Sequence, residues 1–173
     1  MGKSSKLRRT KPPKHLYAIG IGSNRPLSRR LTPRRIVEAA VLALDARPLR
    51  VRAVAPIMTS RPLGPSARDY ANSAVLVRTR LTPPELLARL QVREARFVRL
   101  RQRRWGARTL DLDILLWDGG RWRSPRLRVP HPAFAERGFV LAPLRAIAAQ
   151  WRDPVSGLSV SHLAARAARP QRG

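Results

Sequence analysis

Residues 104–116 read RWGARTLDLDILL, and this stretch decides the fold that the sequence predicts. Asp111 and Asp113 stand two positions apart inside an apolar run, where a strand is expected to enter a core. Because strand side chains alternate between two faces, both carboxylates are expected on the same face. Two adjacent carboxylates repel each other and are costly to desolvate unless a cation lies between or beside them. The pair is therefore the first candidate for a functional site.

Around this strand the sequence shows further strand and helix patterns. Strands are predicted at residues 15–21, 49–57, 73–80 and 109–117. Thr32–Pro33 and Thr82–Pro83 each begin a helix with a threonine N-cap and a proline in the first helical position. Glu85 completes a capping box with Thr82. The order strand, helix, strand, strand, helix, strand predicts a single α+β domain of ferredoxin-like type, an antiparallel sheet with helices packed on one face.

The remaining segments are predicted to be loops and short elements. Residues 1–14 are basic and lack periodicity, so we expect a disordered tail before a domain at 15–173. Residues 58–72 are expected to form a loop, and the arginine-rich residues 96–108 a mobile one, because such a charge density repels itself. We also predict a helical turn at 133–136, a short strand at 139–144 and a terminal helix at 158–169.

The composition excludes some classes of protein and leaves others open. The 173 residues include no cysteine, which excludes disulfides and thiolate metal sites, and no apolar run long enough to span a membrane. We therefore expect a cytoplasmic protein without a membrane partner. The net charge of +26 favours an anionic ligand, either nucleotide phosphates or a nucleic acid. All the lysines lie in the first 14 residues, so codon bias is a competing explanation for the arginine-rich remainder.

Two interpretations of the Asp111–Asp113 pair remain open on spacing alone. The carboxylates could form structural salt bridges with Arg104 and Arg108, which precede them closely in sequence. Alternatively they could hold Mg²⁺, which prefers oxygen ligands and is commonly bound by one or two carboxylates together with substrate phosphates. A strand would fix the two carboxylates in a rigid geometry for that purpose.

Basic and aromatic residues elsewhere favour the magnesium interpretation. Guanidinium groups on a closing loop would neutralise a polyphosphate in the transition state, and exposed rings would stack on a flat heterocycle whose edge an amide could bind. Together with the carboxylates they indicate phosphoryl-type transfer, although the chain has no GxxxxGK[ST] loop. The residues concerned are Arg99, Arg101, Arg103, Arg104 and Arg108, together with Tyr70, Asn72, Trp105 and Phe139.

Several separate motifs lie along the chain in a defined order. They are IGIGSN at 19–24, SRPLGP at 60–65, DYANSAV at 69–75, Glu94 with Arg99 and Arg101, RWGARTLDLDIL at 104–115, and RLRVPHPAFAERGFVLAPL at 126–144. In sequence, order and spacing they resemble the 6-hydroxymethyl-7,8-dihydropterin pyrophosphokinase family of folate biosynthesis, over roughly residues 16 to 160. The resemblance implies a ferredoxin-like fold, two Mg²⁺ ions, and transfer of pyrophosphate from ATP to the hydroxymethyl oxygen with release of AMP.

The resemblance also implies roles for individual residues. Asp111 and Asp113 would bind both magnesium ions, and Asp113 would help to deprotonate the attacking hydroxyl. Arg99 and Arg108 would be catalytic and would meet the triphosphate, with Arg101 supporting them. The pterin would be bound by Ser60, Leu63, Tyr70, Asn72, Trp105 and Phe139. The nucleotide would be bound by Glu94, Arg99, Arg101, Arg108, Ile114, Arg126, His131 and Arg137.

Two other functions were considered. A basic ferredoxin-like sheet with aromatic side chains could bind RNA, but no central strand carries such an aromatic motif, and this function leaves the paired aspartates unexplained. A non-catalytic homologue is disfavoured by the intact aspartate pair and the loop arginines. We therefore expect a monomeric pyrophosphokinase that acts on ATP and hydroxymethyl-dihydropterin and has no nucleic-acid partner.

Overall fold

The computed structural model of the chain describes residues 11–60, 70–99 and 109–169. Its strands are β1 (His15–Ser23), β2 (Arg50–Val54), β3 (Met58–Ser60), β4 (Tyr70–Thr79), β5 (Asp111–Trp117), β6 (Trp122–Ser124) and β7 (Leu127–Val129). Its α-helices are α1 (Pro33–Leu44), α2 (Pro83–Arg99), α3 (Gly138–Ala148) and α4 (Val160–Ala167), and a 3-10 turn spans Phe134–Glu136. None of the described helices is long and apolar enough to cross a membrane.

The main sheet is antiparallel throughout its described pairings. Its strand order is β2-β4-β1-β5, with β3 also paired to β4, while β6 and β7 form a separate hairpin. The described α+β architecture confirms the predicted ferredoxin-like class. Strand β5, which carries Asp111 and Asp113, lies at one edge of the sheet and pairs with β1.

Alternating side chains give the sheet two apolar faces. One face of β1 contributes Tyr17 and Ile19 to a core that packs against α1 and α2, as predicted. The opposite face contributes Ala18 to a second core with α3 and α4. Helices therefore cover both faces, and the second layer was not predicted. It includes residues 139–144, for which the predicted strand is wrong because they lie within α3.

The loop predicted at 58–72 differs from the structure at both ends. Met58–Ser60 forms β3, and β4 already begins at Tyr70, three residues before the predicted strand. The two segments pair with each other, with Met58 opposite Asn72 and Ser60 opposite Tyr70. Helix α2 extends to Arg99, so the first residues of the arginine-rich segment predicted as a loop are helical. The rest of that segment, 100–108, lies outside the described residues.

Both predicted helix starts are confirmed by their contacts. The Thr32 hydroxyl accepts a hydrogen bond from the N–H of Arg35, at 3.5 Å. At the start of α2 the Glu85 carboxylate accepts hydrogen bonds from the Thr82 N–H at 2.7 Å and from the Thr82 hydroxyl at 2.8 Å. These bonds lower the pKa of Glu85, since they stabilise its charged form.

Tyr17 leads to a prediction about stability at alkaline pH. Its buried hydroxyl donates to the Leu81 carbonyl at 2.7 Å, and burial raises the pKa of the phenol. The folded protein therefore holds this proton more tightly than the unfolded chain does. The resulting stability is present below the unfolded pKa of about 10 and is lost as the pH rises above it. We expect the free energy of unfolding in urea to fall more steeply above pH 10 in the wild type than in Tyr17→Phe; equal slopes would contradict this origin.

Candidate active site

The register of three strands brings the predicted carboxylates opposite two glycines. Gly22 of β1 lies opposite Asp111 of β5 on one side and opposite Asn72 of β4 on the other. Gly20 lies opposite Asp113 in the same way. The two glycines have the same spacing of two residues as the two aspartates, so all four residues belong to one face of the sheet.

The glycines keep this part of the sheet surface open. A Cβ atom on Gly22 would lie 3.3 Å from Oδ1 of Asn72, and one on Gly20 would lie 3.3 Å from the side chain of Leu115. Both distances are tighter than ordinary van der Waals contact. A flat molecule can therefore approach the backbone of β1 between the amide of β4 and the carboxylates of β5.

A cavity of about 260 Å³ lies over these glycines. Seven residues that the sequence proposed for the site line it, namely Ser60, Tyr70, Asn72, Asp111, Asp113, Arg137 and Phe139. Six lining residues were not proposed, namely Gly20, Ile21, Gly22, Ser73, Leu115 and Val140. The sequence did carry one signal for the glycines, because IGIG repeats glycine at strand spacing, but their position opposite the aspartates depends on the register.

Asn72 has a defined orientation at the base of the cavity. Only 5% of its surface is exposed, and its Nδ2 donates to the hydroxyl of Ser60 at 2.6 Å. Its Oδ1 then lies on the side of Gly22. The amide oxygen is thereby available as an acceptor for a donor group on a ligand, while Ser60 on β3 holds the other end of the amide.

Aromatic and basic groups also line the cavity. Phe139 belongs to the first turn of α3, and the guanidinium carbon of Arg137 lies 5.9 Å from the centre of its ring. This distance is within the range of a cation–π contact. Tyr70, at the start of β4, is half-buried and lines the same cavity. The cavity thus combines two aromatic rings, an amide, two carboxylates and a guanidinium group.

The carboxylate pair is accessible from the cavity. Asp113 is exposed and Asp111 is half-buried, whereas Leu112 between them is 3% exposed and points into the core on the other face. Two hard oxygen donors on one face, next to a cavity that can admit phosphates, fit the ligand preference of Mg²⁺. No group of three or more His, Cys, Asp or Glu residues that could hold a metal occurs among the described residues.

Two of the residues proposed for the nucleotide, Glu94 and His131, form hydrogen bonds with the main chain of β5. The N–H of Leu112 donates to Glu94 at 2.7 Å, and the carbonyl of Leu115 accepts from the N–H of His131 at 3.0 Å. Ile114 lies between these two points of the strand, but its side chain is 3% exposed and belongs to the core. Only its main chain can contact a ligand. Arg126 is exposed in the turn between β6 and β7.

Five proposed site residues are not described. Leu63, Arg101, Trp105 and Arg108 lie outside the described ranges, and so does the side chain of Arg99, although its backbone ends α2. The salt bridges considered for Asp111 and Asp113 involve Arg104 and Arg108, which are also outside these ranges.

The fold and the cavity define the general class: a ferredoxin-like α+β protein with a small-molecule site made of carboxylates, an amide and aromatic side chains. The family model described as 7,8-dihydro-6-hydroxymethylpterin-pyrophosphokinase (HPPK) matches residues 18–149. The chain therefore belongs to the HPPK family.

Comparisons with individual proteins agree with this assignment. The chain is 41% identical over 138 residues to the 2-amino-4-hydroxy-6-hydroxymethyldihydropteridine pyrophosphokinase of Pseudomonas aeruginosa, covering 79% of this chain and 82% of that protein. It is 45% identical over 104 residues to the protein of the same name from Synechocystis, and there the match covers 60% of this chain and 53% of the relative. The matched region thus spans about half the length of the Synechocystis protein.

Solved structures with the same fold come from Plasmodium falciparum HPPK-DHPS. The structure with pteroate has a TM-score of 0.63 and 12% identity, covering 91% of this chain and 43% of that chain. A second structure, of the A437G variant with STZ-DHP, has a TM-score of 0.64 and 11% identity, covering 94% of this chain and 47% of that chain. At this level of identity the likeness supports the fold alone.

Proposed function

We propose that this protein transfers pyrophosphate from ATP to the hydroxymethyl group of 6-hydroxymethyl-7,8-dihydropterin, giving the pterin diphosphate and AMP. The observation that carries the proposal is the row formed by Asn72, Gly22 and Asp111 across three strands. An amide that suits a heterocycle and a carboxylate that suits a metal–phosphate complex lie on either side of Gly22 in this row, and this arrangement supports the proposal. The family assignment supplies the substrate class.

The acceptor would occupy the Asn72 side of the cavity. The pterin ring fits between Tyr70 and Phe139, both of which line the cavity, and its donor edge fits Oδ1 of Asn72. Ser60 fixes the amide by accepting from Nδ2. Leu63 and Trp105 are proposed to complete the pterin site, and the resemblance of their motifs to the family supports this.

The reacting groups would meet above Gly20 and Gly22. The hydroxymethyl oxygen attacks the β-phosphorus of ATP, the bond from that phosphorus to the oxygen bridging to the α-phosphate breaks, and AMP leaves with that oxygen. Asp113, which is exposed to the cavity, accepts the proton of the attacking hydroxyl. Asp111 and Asp113 would hold two Mg²⁺ ions, which when bound neutralise the phosphate charge and orient the phosphate chain.

The nucleotide would lie along the outer edge of β5. The main chain of Ile114 lies there between the points where Glu94 and His131 contact the strand, and a strand edge that no other described strand pairs with suits the hydrogen-bonding edge of a purine. Arg126 and Arg137 are exposed and can reach phosphate or ribose oxygens. We assign all five residues to the nucleotide side, and we propose that the protein acts as a cytoplasmic monomer.

The three arginines proposed to meet the triphosphate give a prediction about turnover. Arg99, Arg101 and Arg108 are proposed to neutralise charge that develops on the phosphates, so they act mainly in the transition state. Arg108→Ala is expected to lower kcat by about 10²- to 10³-fold, with a much smaller change in pterin affinity. Steady-state kinetics and equilibrium titration of the pterin, measured on the same preparation, test this. A variant that loses affinity and keeps its rate would contradict the assignment.

One assay tests the proposed activity directly. The protein is incubated with ATP, Mg²⁺ and 6-hydroxymethyl-7,8-dihydropterin, and the nucleotide products are separated. AMP should form in equal amount to the pterin diphosphate, and neither should form without Mg²⁺ or without the pterin. Formation of ADP instead would indicate ordinary phosphoryl transfer and would contradict the proposal.

A further inference from the structure

Glu94 is a carboxylate on the apolar side of helix α2. Leu90 and Leu86, one and two turns earlier, are fully buried in the core, and Phe97, almost one turn later, also packs against that core. Helical spacing therefore directs Glu94 toward the sheet, where an apolar residue would normally stand. A charged group is retained on such a face only if it gains a strong polar partner.

One such partner is the main chain between the two aspartates. Oε1 of Glu94 accepts the hydrogen bond of the Leu112 N–H at 2.7 Å. Leu112 separates Asp111 from Asp113, and its N–H points away from β1 because β5 is the edge strand of the sheet. Bonds between a carboxylate and a backbone N–H are shorter and stronger than those between neutral groups. Glu94 therefore holds the peptide that joins Asp111 to Leu112. The positions of the Asp111 and Asp113 carboxylates depend on this part of the main chain.

We propose that Glu94 is a positioning residue that acts through the Leu112 amide to hold Asp111 and Asp113 in the geometry that binds the metal–nucleotide complex. This inference rests on the metal role given to the pair in the proposed function. It assigns Glu94 a task in addition to nucleotide contact, because the N–H that donates to Glu94 belongs to β5, the strand that carries both aspartates. Residues that orient metal ligands typically change metal affinity by about 10- to 100-fold when they are removed.

Three substitutions separate positioning from general stabilisation. Glu94→Leu removes the acceptor and fits the apolar face of α2, so the variant is expected to fold. Glu94→Gln removes the charge but keeps an oxygen acceptor for the Leu112 N–H. Glu85→Leu is the matched control. Glu85 lies on the same helix and also accepts a hydrogen bond from a backbone N–H at 2.7 Å, but that N–H belongs to Thr82, which is outside β5.

The first measurement is amide hydrogen exchange of Leu112 by NMR. In Glu94→Leu this amide should exchange at least about tenfold faster than in the wild type, with core amides of β1 and β4 unchanged. In Glu94→Gln and Glu85→Leu it should stay close to the wild-type rate. An equally protected Leu112 amide in Glu94→Leu would overturn the inference.

The second measurement is binding of α,β-methylene-ATP at increasing Mg²⁺ concentration, followed by calorimetry. The Mg²⁺ concentration for half-maximal binding should rise at least about tenfold in Glu94→Leu, recover to within about threefold in Glu94→Gln and stay unchanged in Glu85→Leu. An unchanged value in Glu94→Leu would overturn the positioning role alone, provided that the wild type makes AMP in a Mg²⁺-dependent reaction. A wild type without that reaction would overturn the proposed function itself.

Discussion

Replacement of Asp113 by alanine is expected to abolish AMP formation and to leave the fold intact. Asp113 is exposed to the cavity, so its removal takes no apolar surface out of the core. The side chain is proposed both to bind magnesium and to accept the proton of the attacking hydroxyl. Because metal ions supply several kcal/mol of transition-state stabilisation, the loss should exceed roughly 10³-fold in kcat. The measurement is AMP production at saturating substrates, together with a thermal unfolding curve.

The matched control for this variant lies just beyond the other end of the same strand. Asp118 accepts the N–H of Leu16 at 2.9 Å and contacts His15 at 2.9 Å, so Asp118→Ala removes a carboxylate that has structural contacts. That variant is expected to unfold more easily and to keep its turnover per folded molecule. If Asp113→Ala retains turnover within about tenfold of the wild type, the pair has no metal role of the size proposed.

Some elements could be predicted because their sequences carry a local physical signal. Helix starts were predicted at Thr32–Pro33 and Thr82–Pro83, with threonine as the N-cap. The proline that follows has no backbone N–H that would be left without a partner in the first turn. Both starts are confirmed. Of the predicted capping box, the bond from the Thr82 N–H to the Glu85 carboxylate forms, and the Thr82 hydroxyl donates to the same carboxylate. The aspartate strand was also predicted, since its apolar residues flank the charged pair on both sides.

Other elements could not be predicted because their identity depends on what they pack against. Residues 139–144 are an apolar run too short to distinguish a strand from a buried helix, and they become helical between the sheet and α4. Strand β3 has only three residues and exists because it pairs with the start of β4. Neither segment has a periodic pattern of its own, so its secondary structure is determined by the elements that it packs against or pairs with.

The candidate site was likewise predictable only in part. The resemblance of the motifs supplied the side chains, but not which of them lie opposite one another. That Asn72 and Asp111 flank the same glycine follows from the pairing of three strands that are distant in sequence. The contact of Glu94 with Leu112 joins residues 18 positions apart through a backbone atom, which no side-chain pattern can reveal.

Replacement of Gly22 by valine is expected to weaken pterin binding more strongly than nucleotide binding. A Cβ at this position would meet one neighbouring atom within 4 Å, Oδ1 of Asn72, at 3.3 Å. Valine adds two further methyl groups on the floor of the cavity, where the acceptor ring is proposed to lie. Overpacking of this kind costs about 1–3 kcal/mol, which corresponds to a loss of roughly 5- to 150-fold in affinity. Titration of the pterin in the presence of α,β-methylene-ATP and Mg²⁺ measures it.

A graded pair of variants shows whether the effect is steric. The backbone at Gly22 is part of β1, where any residue can adopt the extended conformation, so neither alanine nor valine should strain the main chain. Gly22→Ala requires a shift of only a few tenths of an ångström by the Asn72 amide, and its loss of pterin affinity should be a small fraction of the loss in Gly22→Val. Binding of α,β-methylene-ATP should change less than pterin binding in both variants, because its adenosine is proposed to lie along the outer edge of β5 and only its phosphates approach Gly22. Equal losses of pterin and nucleotide binding in Gly22→Val would contradict this division of the cavity, since one added side chain would then block both substrates from a shared position.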